Sequence, residues 1–209
     1  MNQKELLEGF IAKLQLVNGV VREAPDMAAA MQYVVEVCEK KAPCEMLADE
    51  PGTEQGPLGP NKVPTRVQKV VAAPTIPEDA FAKLKADCEA KGFLCLREGL
   101  RKYLSGIDVG VCMAEAGVAA SGTCLVNTDN EDGRLASMVC EVSILILKKN
   151  AIYPDLPSIT QIVRERMGQG PQATYTTLIT GPSRTADIER VGAVGVHGPL
   201  ELHCILLEG

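Results

Sequence analysis

Leu6, Leu7, Phe10, Ile11 and Leu14 recur at helical spacing with Lys and Glu between them, which predicts an amphipathic opening helix. Asp26 stands where an N-cap is needed for a second helix, whose stripe is Met27, Ala30, Met31, Val34, Val35 and Cys38. These two helices make a helical N-terminal segment of residues 1–42, and a short strand is expected over Cys44 to Ala48. Residues 51–64 hold four Pro and three Gly. That content excludes a helix or a central strand and leaves a linker or a long loop, either merely mobile or a flap over a site. Thr75 to Lys91 reads as a third helix, with Pro77 in its first turn, Ile76, Ala80, Phe81, Leu84 and Cys88 as its stripe, and Gly92 as its stop. Phe93 to Leu96 follows as a short buried strand.

From Ile107 the texture changes. Val109 to Val126 is rich in Ala, Gly, Val and Ser with almost no charge, and small residues there allow close backbone approach. Val142 to Leu147 is a continuous apolar run, the pattern of a strand covered on both faces. Asp155 suits the cap of a helix carrying Leu156, Ile159, Ile162, Val163 and Met167. Thr174 to Thr180 is β-branched and aromatic, so it reads as a strand, and Leu202 to Leu207 as the last one. Helices alternating with short apolar strands predict a single α/β domain over residues 1–209, with the opening helices readable as an appendage to it.

Composition narrows the function. The chain is 46% hydrophobic and 23% charged, the balance of a globular protein. Lys+Arg is 21 and Asp+Glu is 27, a formal net charge of -6, so nucleic-acid binding through a basic surface is not expected. No run reaches the roughly 18 apolar residues of a membrane span, and the N-terminus has no apolar signal core. The 8 cysteines form no Cys-x-x-Cys pair and sit mostly in apolar runs. They read as small buried hydrophobes in a reducing, cytoplasmic compartment, and no metal is expected in this chain.

Three stretches could carry chemistry. The first, Thr180-Gly-Pro-Ser-Arg-Thr-Ala-Asp-Ile-Glu189, follows a strand and is expected at its C-terminal edge, where open α/β sheets bind ligands. Gly181 allows close approach, Ser183 and Thr185 offer hydroxyls, and Arg184 offers a forked cation for a carboxylate or phosphate. The alternative is an ordinary turn in which the hydroxyls bond local backbone and Arg184 pairs with Asp187 or Glu189. In the second, Gly195-Val-His-Gly-Pro199, His197 is either an acid–base group beside Gly198 or a turn histidine bonded to backbone. His203, inside an apolar strand, reads as a core or sheet-face residue. The third is Ala119-Ala-Ser-Gly-Thr123, where Ser121, Gly122 and Thr123 form either an anion cradle or a turn between strands. Nearby Glu115 is either a general base or a solvated strand end.

In their order along the chain, joined by Gly133-Arg-Leu-Ala-Ser137, Tyr153-Pro-Asp-Leu156 and Leu202-His-Cys-Ile-Leu206, these motifs resemble the LutC/YkgG family of lactate-utilisation proteins, the LUD domain. The resemblance implies a three-layer α/β/α sandwich with a mostly parallel sheet, similar to the ribose-phosphate isomerase, glucosamine-phosphate deaminase and CoA-transferase group. It implies a non-redox component of a system oxidising lactate to pyruvate, working with iron–sulfur partner proteins that hold the clusters, with no cofactor in this chain. The family pattern has Ala-Glu-Thr-Gly-Thr where this chain has Ala119-Ala-Ser-Gly-Thr123, so Ala120 replaces a carboxylate. The site expected from these readings comprises Ser121, Gly122, Thr123, Gly181, Ser183, Arg184, Thr185, Asp187 and Gly198 for a small anion, with His197 and Glu115 as catalytic candidates. A stabilising or regulatory partner with a vestigial pocket, or an enzyme similar to phosphosugar isomerases or CoA-transferases, are the alternative expectations.

Overall fold

The computed structural model describes residues 2–46, 53–167, 174–186, 192–194 and 198–208. The chain begins α1 (Gln3–Leu16), β1 (Val20–Ala24), α2 (Met27–Lys40), β2 (Gln55–Leu58), β3 (Pro64–Arg66), β4 (Val70–Ala72), α3 (Glu78–Ala90) and β5 (Leu94–Leu96). It continues β6 (Ile107–Val118), β7 (Thr123–Asn127), α4 (Glu131–Met138), β8 (Cys140–Lys148), β9 (Ile152–Tyr153) and α5 (Thr160–Met167). The described remainder is β10 (Thr176–Ile179), β11 (Arg184–Ala186), β12 (Gly192–Val194) and β13 (Glu201–Leu207).

Residue chemistry sets the helix ends. Asn2 and Glu5 close a capping box on α1, and Asp26 accepts from Ala29 N at 2.8 Å to start α2. The central sheet runs β1-β13-β8-β6-β4-β5, with every pair along that path parallel. Ala30, Met31, Val34 and Cys38 of α2 and Ala80, Leu84 and Cys88 of α3 cover one face. Leu6, Phe10 and Leu14 of α1 and Ala136 of α4 cover the other. The architecture is therefore a three-layer α/β/α sandwich, and the opening helices belong one to each of its outer layers rather than forming an appendage. Full burial of a side chain such as Phe10 or Leu14 stabilises by about 1.5–3 kcal/mol, which fixes α1 to the sheet.

Two features depart from the expected pattern. Beyond the parallel sheet β6 continues through a bulge between Ala114 and Ala116 and pairs antiparallel with β7, which pairs antiparallel with β10. Cys124 and Val126 of this arm join the α1 and α4 cluster, while Leu125 packs with Ile159. The Pro/Gly-rich stretch is also more ordered than a linker, because β2 and β3 close a small antiparallel ribbon of their own. Its Pro content keeps it out of the central sheet.

All eight cysteines are buried and free. Burial pushes the thiols of Cys38, Cys44, Cys112 and Cys140 up to about 12. His203 is a sheet-face residue, with Nδ1 3.0 Å from the Tyr33 hydroxyl and Nε2 3.0 Å from Glu201 Oε2.

Candidate functional site

The site is built where β10, α4 and the starts of β8 and β13 meet. α4 opens at Asn130, whose side chain accepts from Gly133 N. It then lies directly on β6 at Gly110, where a Cβ would fall 1.8 Å from Ala136 O. This contact fixes where Ser137 and Met138 end the helix and where the chain enters β8. Leu145 and Leu147 of β8 face α1 and α4, so strand alternation puts Ser143 on that same face. Leu202 and Cys204 of β13 lie beside it.

The turn after β10 closes onto this edge. Ser183 N donates to Pro199 O at 2.9 Å, and Leu200 N donates to Glu141 O at 2.8 Å. The turn at residues 181–183 is thus stitched to Gly198-Pro199, and that segment to the beginning of β8. Together they enclose a cleft of about 230 Å³. Ser137, Ser143, Thr177, Thr180 and Ser183 supply its polar wall, and Met138, Ile179, Pro199 and Leu202 its apolar wall. Among the described residues no charged side chain lines it.

The structure brings several of the expected residues together. Gly181, Ser183 and Gly198 share the cleft. Thr180 Oγ1 lies 2.7 Å from Thr123 Oγ1, which lies 2.7 Å from Ser121 Oγ, so the Ser121–Thr123 motif joins the site through a chain of hydroxyls. Arg184 is exposed at the start of β11 and pairs with Val194 in the strand register. Thr185 follows it in β11, while Asp187 and His197 lie outside the described residues.

Other expectations are corrected. The turn does follow a strand, yet β10 belongs to the antiparallel arm, so the cleft opens at the amino ends of β8 and β13 rather than at the carboxyl edge of the parallel sheet. Gly122 and Gly181 both have left-handed backbone, with φ of 68° and 75°. Their close approach is to α1, since a Cβ on Gly122 would come 2.4 Å from Leu14 N and one on Gly181 2.8 Å from Val17 O. Gly122 therefore faces a helix end instead of an anion. Glu115 does not line the cleft. Arg166 Nε donates to its Oε2 at 2.6 Å and Nη2 pairs with its Oε1, while Nη1 reaches Asp129 Oδ2 at 3.2 Å. The hydrogen bonds it donates to Glu115 hold the Arg166 guanidinium pKa further above its ordinary value. A carboxylate gripped on both oxygens by arginine ties α5 to β6. Ala120 is exposed and donates its N–H to Pro154 O at 3.0 Å.

Sequence reasoning missed Ser143. Its residue is 1% exposed and its hydroxyl lies beside the Cys140 thiol. The signal was a lone hydroxyl residue inside Val142-Ser-Ile-Leu-Ile-Leu147. No group of His, Cys, Asp and Glu among the described residues is arranged to hold a metal ion, and no described helix is long and apolar enough to cross a membrane.

Known proteins resemble both the sequence and the fold. A protein named YkgG from Escherichia coli is 36% identical over 101 residues, 48% of this chain and 44% of that protein. Lactate utilization protein C from Bacillus subtilis is 35% identical over 101 residues, 48% of this chain and 42% of that protein. The chain thus spans less than half the length of the curated relatives it matches. A crystal structure of a DUF162 family protein from Deinococcus radiodurans has the same fold, with a TM-score of 0.55 at 14% identity, over 100% of this chain and 99% of that one. The model of the LUD domain matches residues 7–207, nearly the whole sandwich together with its arm and cleft, and the chain belongs to the LUD domain family.

Proposed function

We propose that this protein is a component of a lactate-utilisation system that carries no redox group of its own, works beside iron–sulfur partner proteins, and holds a small carboxylate at the cleft. The observation that carries the reading is the family match across residues 7–207, together with relatives named for lactate utilisation. The cysteines support the non-redox part, since all eight are buried and free, with Cys88 beside Cys95 and Cys124 beside Cys204 in the packed interior. The cleft supports the binding part, because the two Gly-Pro motifs converge there, and Arg184 is the next residue in the chain after Ser183, which lines it. Binding is favoured over bond-making chemistry by two observations. The Glu115 carboxylate is held by Arg166, and Ala120 has no carboxylate to offer. A stabilising or regulatory subunit is therefore the second reading.

The test is a thermal-shift and calorimetric titration with L-lactate and pyruvate. A ligand at about 100 times its dissociation constant adds roughly 2.7 kcal/mol, or about 5–10 °C for a chain of this size. Arg184→Ala should leave the fold intact and weaken binding roughly ten- to hundredfold, the worth of one charge-assisted bond. Response only to sugar phosphates or CoA esters would replace this reading with an isomerase-like or transferase-like one. Co-purification with iron–sulfur subunits tests the partner assignment.

A further inference from the structure

One edge of β10 turns main-chain groups toward the cleft. Thr128 N donates to Tyr175 O at 3.0 Å, and Tyr175 N donates to Asp129 Oδ1 at 2.6 Å, so Tyr175 points both its main-chain groups to the β7 side. This orientation repeats at every second residue of an antiparallel strand, so Thr177 and Ile179 also face β7, opposite Val126 and Cys124. Leu178 and Thr180 turn their N–H and C=O groups the other way, where no strand pairs with β10 among the described residues. Both residues line the cleft, yet their side chains are engaged elsewhere. Leu178 lies with Leu125 and Val163 around the groove beside α5, and Thr180 Oγ1 is bonded to Thr123 Oγ1 at 2.7 Å. Their main chain is therefore what reaches the cleft. Two hydroxyls of the same wall are already taken, since Ser137 Oγ donates to Arg134 O and Thr177 Oγ1 is bonded to Thr128 Oγ1, each at 2.9 Å.

We propose that the cleft binds an N-acylated amino acid, laid against Leu178 as one residue of a further strand; this rests on the small-carboxylate reading above. Leu178 offers one N–H and one C=O side by side. Their complement in an antiparallel ladder is a residue that returns an N–H to the C=O and a carboxyl oxygen to the N–H. An acylated amino acid carries that pair. Its amide N–H donates to Leu178 O, and its carboxylate accepts from Leu178 N. A free amino acid fits less well, because no charged side chain lines the described wall to replace the hydration of an ammonium group. Acylation keeps the donor and removes the charge. The acyl chain finds Met138, Ile179 and Leu202 on the apolar wall. A cleft of about 230 Å³ is smaller than the roughly 300–1,000 Å³ of pockets that enclose drug-sized ligands, which suits a single residue and not a longer peptide.

The experiment is a calorimetric titration of N-acetylglycine, its ester isostere O-acetylglycolate and L-lactate into the wild type, Leu178→Pro and Thr176→Pro. The wild type should bind N-acetylglycine. O-acetylglycolate lacks only the amide donor and should bind roughly two- to tenfold more weakly, the range of one neutral hydrogen bond. Leu178→Pro removes an N–H that β7 does not use, so it should keep the melting temperature near that of the wild type and abolish binding. Thr176→Pro makes the same change on the same edge outside the cleft and should keep the affinity. Equal affinity for the amide and the ester overturns the inference, whether or not the proline variants fold. So does wild-type affinity in a folded Leu178→Pro, or a loss as large in Thr176→Pro. Binding of L-lactate without N-acetylglycine removes this inference and leaves the small-carboxylate reading standing. A wild type that binds none of the three acids removes both.

Discussion

Replacing Asp108 with Asn should cost this protein a large part of its stability. Asp108 is fully buried near the start of β6. Its carboxylate accepts from Lys41 Nζ at 2.8 Å, from the backbone N–H of Cys44 at 2.9 Å and from that of Val70 at 2.8 Å. Lys41 also reaches Glu141 at 2.9 Å, and Glu141 O accepts from Leu200 on the way into β13. The network therefore ties the end of α2, β4, β6 and β8 along the edge that carries the cleft. Asn keeps the size but removes the charge, and its amide presents a donor where the fold needs an acceptor. Each charge-assisted bond is worth about 1.5–3 kcal/mol. Asn Oδ1 keeps part of the set and Lys41 keeps Glu141, so the net loss should be that of breaking one buried pair, about 3–5 kcal/mol. Against a total of about 5–15 kcal/mol this is roughly a fifth or more. The melting temperature should fall by about 6–20 °C at neutral pH. The pH dependence has a definite sign. Burial pushes the Lys41 ammonium down, but Asp108 and Glu141 outweigh it and hold its pKa above the ordinary value. Such a group contributes stability that is complete below about pH 10.4 and is lost as pH rises through the higher folded value. The gap between wild type and Asp108→Asn should therefore narrow in that alkaline range. Urea and thermal unfolding of both proteins measure it. A loss under about 1 kcal/mol at pH 7, or a gap that widens with alkali, would refute the reasoning.

Gly122→Ala should cost about 2–4 kcal/mol, because it combines a left-handed backbone with a Cβ driven against the Leu14 main chain, and urea unfolding reads it. At pH 8 thiols held near 12 are ionised in about one molecule in ten thousand. Native protein should thus react slowly with a disulfide reagent and show all 8 thiols only after denaturation. Protein purified without oxygen should carry no stoichiometric iron or zinc, and cysteine-dependent metal would overturn the packing role of these residues. Glu115→Gln should lower stability by no more than about 1 kcal/mol, since the Glu115–Arg166 pair is partly exposed, and should leave L-lactate affinity unchanged. A loss of affinity there would restore Glu115 to the site.

The helical stripes of α1, α2 and α3 and the buried strands β8 and β13 were legible in the sequence. Apolar spacing is a local quantity, and a helix or a doubly covered strand imposes it residue by residue. The same locality hid other elements. β1, Val-Val-Arg-Glu-Ala, is mostly exposed and exists as a strand because β13 supplies its parallel partner. α4 contains Gly and Ser and has only eight residues, and its contact with β6 at Gly110 holds it in place. The candidate site divides in the same way. Gly181, Ser183 and Gly198 were visible as turn chemistry, but only the fold joins them, through the Ser183–Pro199 bond. Glu115 looked equally like a base until Arg166, 51 residues away, closed on it. Ser143 was one hydroxyl in an apolar strand, and whether such a group is satisfied depends on which strands, in which register, come to surround it. Spacing along the chain fixes what a residue offers its own helix or strand. Strand order and helix docking decide which groups meet across the fold.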